Sequence, residues 1–115
     1  MIDFNPDDIQ ILEVPVGRDT MLIVTGGAAH IGAVSTAYLV NDGIEVQTTK
    51  LPGHKEHTIS EGLARKAAEV LGRTVTVAAG IHYDHISKEE INAIVAIVNE
   101  RMDDYLKQAS DNSSV

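Results

Sequence analysis

The sequence predicts an α+β domain: a largely antiparallel five-stranded sheet with two helices packed on it, in the order βββ-β-α-β-α. Three observations carry this. Short β-branched runs punctuated by turn residues fill residues 9–50. Two later stretches, each opened by Ser or Thr with Glu three residues on, place apolar residues at helical spacing. One further β-branched run, residues 74–81, lies between those two stretches.

Taken in order, residues 9–16 end at Gly17, Arg18 and Asp19. Pro15 cannot donate to a ladder, which marks this strand as an edge. Met21, Leu22, Ile23 and Val24 are continuously apolar and read as a buried central strand. That strand delivers the loop Thr25-Gly26-Gly27-Ala28-Ala29-His30-Ile31-Gly32. Residues 33–40, the Asn41-Asp42-Gly43 turn, and the alternation of Ile44, Val46 and Thr48 with Glu45, Gln47 and Thr49 make a hairpin. Thr58 and Glu61 form a capping box for the first helix, whose stripe of Leu63, Ala64, Ala67, Val70 and Leu71 stops at Gly72. Ser87 and Glu90 repeat the box, and Ile91, Ile94, Val95, Val98, Met102, Tyr105 and Leu106 trace one helical face to about Gln108. Residues 1–115 form a single domain, with 1–7 and 109–115 as frayed ends. Helices on one face only would leave the other to a partner, so a homo-oligomer, a dimer, is expected.

Composition narrows the function. An apolar fraction of 43% and a charged fraction of 23% are those of a globular protein. The absence of cysteine excludes disulfides, thiolate metal sites and a cysteine nucleophile. A net charge of −8 and nine scattered basic residues argue against nucleic-acid binding, and one Phe, three Tyr and no Trp offer no base-stacking platform. No apolar run is long enough to span a membrane, and the acidic start lacks the features of a signal peptide, so a cytoplasmic location is expected.

Chemistry concentrates in the five histidines, His30, His54, His57, His82 and His85, which fall at strand ends and in loops. His54 and His57 are three residues apart, and with His30, His82 or Glu61 as a third ligand they would form an open site for a divalent metal ion. The plain reading of any one of them is a solvated loop residue. Thr25, Gly26 and Gly27 could offer consecutive amides as an anion nest, with the helix at Thr58 adding a second positive end. On the plain reading the glycines only turn the chain. Neither the Walker nor the dinucleotide fingerprint is present, because the loop lacks the lysine-serine pair and leads into a strand. No serine sits in a nucleophile elbow, Asp84 is a loop carboxylate that could act as acid or base, and no residue is assigned a catalytic role.

Three separated strings resemble one family. Val24-Thr25-Gly26-Gly27-Ala28-Ala29-His30-Ile31-Gly32-Ala33-Val34, then Leu51-Pro52-Gly53-His54 with Ile59-Ser60-Glu61, then Val77-Ala78-Ala79-Gly80-Ile81-His82 with Ile86-Ser87-Lys88, are similar to the prenylated flavin chaperones, the small subunit associated with gallate decarboxylase. The resemblance runs collinearly over about residues 20–95. It implies an accessory protein, more a chaperone than an independent enzyme, that binds or helps mature prenylated FMN for an aromatic-acid decarboxylase. By the same resemblance Gly26, Gly27 and His30 would line the site, joined by His54, Ser60, Glu61 and His82; Thr25 and Gly32 of the same loop complete the cofactor-binding set, and His54, His57 and His82 are the candidate metal ligands. So few aromatic residues offer a flavin ring little cover, which a dimer interface would supply. The alternative from a different class is a small histidine-rich metal-dependent hydrolase, with Glu61 or Asp84 as base.

Overall fold

A computed structural model of the chain describes residues 5–52 and 57–113. A 3₁₀ turn over Pro6–Asp8 leads into β1 (Gln10–Val16), β2 (Asp19–Gly27), β3 (Ala33–Val40), β4 (Gly43–Lys50), α1 (His57–Leu71), β5 (Val75–His82) and α2 (Lys88–Ser113). Apart from that first turn, the elements follow one another as the sequence predicts. The sheet, however, is mixed and not largely antiparallel. Its strands lie in the order β1-β2-β5-β3-β4, with β5 inserted between β2 and β3, parallel to the first and antiparallel to the second. The cause is α1, whose crossover returns the chain to the same end of the sheet before β5 begins. β3 and β4 form the expected hairpin, with Asn41 at φ 55° in the turn, and β1 with Pro15 is an edge strand.

Register divides the sheet into two faces. Leu22, Val24, Val75, Val77, Ala79 and Ala37 point toward Leu63, Ala64, Ala67 and Ala68 of α1 and toward Ile94, Val98, Met102 and Leu106 of α2, forming one core. The alanines of α1 are fully buried, and such small side chains let the helix sit close to the sheet. Val70 and Ile91, expected on the buried helical faces, are instead 46% and 45% exposed. The opposite face carries no helix, and two rows cross it: Leu12, Ile23, Ala78, Val34 and Thr49, then Val14, Met21, Thr76, Thr36 and Gln47. The apolar run of β2 is therefore buried on alternate residues only.

The second capping box is formed as expected. Glu90 N donates to Ser87 Oγ at 3.1 Å and Ser87 N to Glu90 Oε1 at 3.0 Å. The first is not, because α1 already includes His57 and places Thr58 inside its first turn. α2 continues to Ser113, beyond the Gln108 where the apolar face ends.

Candidate functional site

β3 is antiparallel to both β4 and β5, so β4 runs with β2 and β5, and all three end on the same side of the sheet. The loop after β2 carries His30, the segment after β4 leads to His57, and β5 ends on His82 before a loop that carries Asp84 and His85. Loops at the carboxyl ends of parallel strands are the usual place for a ligand in such sheets. Hydrogen bonds tie them together: Ala28 N donates to His82 O at 2.9 Å, Gly32 N to Ala79 O at 2.9 Å, and Leu51 N to Gly32 O at 3.0 Å.

The glycines make this meeting possible. The backbone of His30 lies directly over Gly80, on the helix-free side, and a Cβ on Gly80 would overlap the His30 carbonyl. Gly27 has φ +64°, and a Cβ there would overlap the His82 carbonyl and lie 2.8 Å from Tyr83 Cε1. Under Gly26 sits Ile9, 1% exposed, whose Cδ1 would be 2.6 Å from an added Cβ. The tyrosine that covers Gly27 donates from its hydroxyl to Asp8 Oδ2 at 3.4 Å. Burial first, and then the Asp8 carboxylate, raise the Tyr83 phenol above its ordinary value.

Two imidazoles face each other here. The rings of His30 and His82 stand edge to face with centroids 5.9 Å apart. His82 Nε2 donates to Asp84 Oδ1 at 2.9 Å, and His30 Nδ1 donates to the carbonyl of Ala28 at 3.3 Å. These bonds orient both rings, and the cluster presents polar groups suited to a polar ligand edge.

The remaining expected residues fall elsewhere. Thr25 and Gly26 are extended rungs of β2 and Gly27 closes that strand at φ +64°, so the run lacks the consecutive alternating helical backbone that the expected nest needs. Ser60 is fully buried on the helix side. Its Oγ lies 2.7 Å from Ser35 Oγ, which is in turn 2.7 Å from Thr48 Oγ1, and it also donates to His57 O at 3.2 Å. The sheet thus separates Ser60 from His30. Glu61 is exposed on the second turn of α1. His57 is half-buried, with a buried Nδ1 that has no hydrogen-bond partner among the described residues. His54 lies outside the described residues, and among those described no group of three His, Cys, Asp or Glu could hold a metal ion.

On the helix side of the same end, Ile59, Ile81, Ile86, Ile91, Ile94 and Val95 line an apolar groove of about 260 Å³. Sequence reading missed this groove, since it joins residues from three elements. It also missed Gly80, although an isolated glycine inside a strand is the signal for close backbone approach.

The chain is thus a two-layer α+β fold with its loops gathered at one end of the sheet, a polar cluster on the helix-free side of that end and an aliphatic groove on the helix side. The chain belongs to the prenylated flavin chaperone LpdD-like domain family, whose pattern matches residues 4–110. It is 34% identical over 96 aligned positions to Protein LpdD of Lactiplantibacillus plantarum, spanning 78% of this chain and 68% of that protein. Among solved structures it is similar to a chain in the crystal structure of a chaperone complex for yeast 20S proteasome assembly. That match has a TM-score of 0.58 at 12% identity, covering 90% of this chain and 98% of the other, and shows a shared fold. None of the described helices is long and apolar enough to cross a membrane.

Proposed function

We propose that this protein is an accessory chaperone, working as a homo-oligomer in the cytoplasm, that binds or helps mature prenylated FMN for an aromatic-acid decarboxylase. The observation that supports this best is the convergence of histidine-bearing loops at one sheet end in a member of the prenylated flavin chaperone family. His30 and His82 contact the polar edge of the cofactor. Thr25, Gly26, Gly27 and Gly32 hold those imidazoles in place from the strand and loop backbone, and Ser60 and Glu61 shape the start of α1 on the other side. The apolar cover that the chain's few aromatic residues cannot give comes from a subunit interface. When bound, the flavin supplies whatever redox or electrophilic chemistry the client enzyme uses; this chain's residues bind, orient and shield it.

The test is native mass spectrometry of the protein co-expressed with a flavin prenyltransferase. Retained prenylated FMN is expected, falling at least about tenfold in His30→Ala and His82→Ala, the loss of one or two charge-assisted or neutral hydrogen bonds. Equal retention by the wild type and both variants would overturn the assignment of the site. The divalent-metal hydrolase reading lacks a comparable observation, because the described residues bring only two imidazoles together.

A further inference from the structure

We infer that the free edge of β4 takes up an extended segment of a partner protein as an added strand, with apolar side chains on its helix side and a basic one opposite Glu45. That the partner is the decarboxylase rests on the function proposed above; the geometry of strand addition does not. β4 is an outer strand of the sheet, and among the described residues only β3 pairs with it. The tight turn pairs Val40 with Gly43, so alternate residues from Gly43 onward turn their N–H and C=O to β3, and Leu51 N, which donates to Gly32 O, keeps that alternation. Ile44, Val46, Thr48 and Lys50 therefore present theirs to the open side. The Ile44 carbonyl already accepts from Arg65 Nη1 at 3.2 Å. Among the described residues the outward backbone groups of Val46 and Thr48 bond to nothing, which makes them a template for a further strand.

The other edge of the sheet is guarded where this one is open. In β1 the same alternation turns Ile11, Glu13 and Pro15 outward; Pro15 has no N–H, and Tyr105 of α2 reaches across to Glu13. β4 contains no proline. Its side chains select the occupant. Ile44 and Val46 are half-buried against the core on the helix side, whereas Glu45, Gln47 and Thr49 stand exposed on the other. An incoming strand meets apolar contacts on one side and a carboxylate on the other, and the net charge of −8 draws a basic segment toward the chain. A second copy fits worse. Paired edge to edge about Val46 or Gln47, each copy needs the Ile44 carbonyl that Arg65 holds. Paired about Thr48, which Ser60 reaches through Ser35, the copies set Glu61 of one α1 against Glu61 of the other. A partner's segment needs only Val46, Thr48 and Lys50, and it leaves Arg65 in place.

Quenched hydrogen exchange, read residue by residue by NMR on the protein alone and with a purified decarboxylase that uses prenylated FMN, tests this. In the complex the amides of Val46, Thr48 and Lys50 should slow at least about tenfold, while those of Glu45, Gln47 and Thr49, already bonded to β3, change little. Val46→Pro removes one outward N–H where an edge tolerates proline, and should weaken the complex at least about tenfold in calorimetric titration. Lys50→Pro does the same at an exposed position and keeps the test decisive if Val46→Pro fails to fold. Glu45→Lys should weaken the complex about threefold, as for a cross-strand charge pair. A complex that leaves the β4 amides unprotected, or that forms at full strength in these variants, would overturn the inference and leave the cofactor reading standing. Slowing of the same amides in the protein alone as its concentration rises would give the edge to a second copy and overturn it as well. Absence of any complex removes both this inference and the decarboxylase as partner, and retention of prenylated FMN in the native mass spectra then reads the cofactor site on its own.

Discussion

Gly80 ties the fold to the site through a single missing methyl group. It sits in β5, at the middle of the sheet, and the His30 carbonyl occupies the volume that any side chain would need. Gly80→Ala must push the loop off the strand, and the cost should be about 1–3 kcal/mol, as for other overpacked sites. Urea denaturation gives that number, and a loss below about 0.5 kcal/mol, typical of an ordinary surface change, would show that the loop is not seated as described. On the helix side, Ser60→Ala removes a hydroxyl that bonds Ser35 and the His57 carbonyl in a fully buried position. Its expected cost is about 1–2 kcal/mol, because Ser35 keeps only its bond to Thr48. At this scale His30 and His82 were legible in the sequence as histidines at strand ends. The Asp84 contact was not, since it depends on how the chain turns after β5.

Among the elements, α2 carries the clearest local signature. Ser87 and Glu90 exchange both bonds of the capping box, so Ser87→Ala should destabilise the protein by about 1 kcal/mol, measurable by thermal or urea unfolding. Farther along α2, the Tyr105 hydroxyl donates to Glu13 of β1, joining the helix to the edge strand. Burial, then the bond to Glu13 and its charge, raise the phenol above its ordinary value of 10.0. The unfolded phenol loses its proton first, so the folded state binds more protons above pH 10 and stability falls as pH rises. The contribution is complete below that ordinary value and is lost toward the folded one. Tyr105→Phe should flatten the decline of the urea midpoint across alkaline pH, and an unchanged slope would contradict this. The capping box and the Asn41-Asp42-Gly43 hairpin were readable because each is made by neighbours in sequence. The parallel pairing of β2 with β5 was not, because it joins strands separated by a hairpin and a helix and leaves no local mark. Thr58 misled for a related reason: a box pattern permits a cap without fixing where the helix starts, and the helix had already begun at His57.

For the whole molecule, direction matters more than composition. With β2, β4 and β5 running the same way, the loops bearing His30, His57 and His82 emerge at one end, while the bare face of the sheet passes beneath the first of them. Histidine content alone supports a metal site as readily as a cofactor site. The topology gathers His30 and His82 with Asp84, and it places Ser60 and the aliphatic groove across the sheet from them. The most direct measurement is an amide NMR titration of the apo protein with prenylated FMN under anaerobic conditions. Shifts confined to residues 25–32, 57–61 and 80–86 would match this end of the sheet as the cofactor seat. Shifts centred on the β3–β4 turn or the C-terminal half of α2, or none at saturating cofactor, would contradict it.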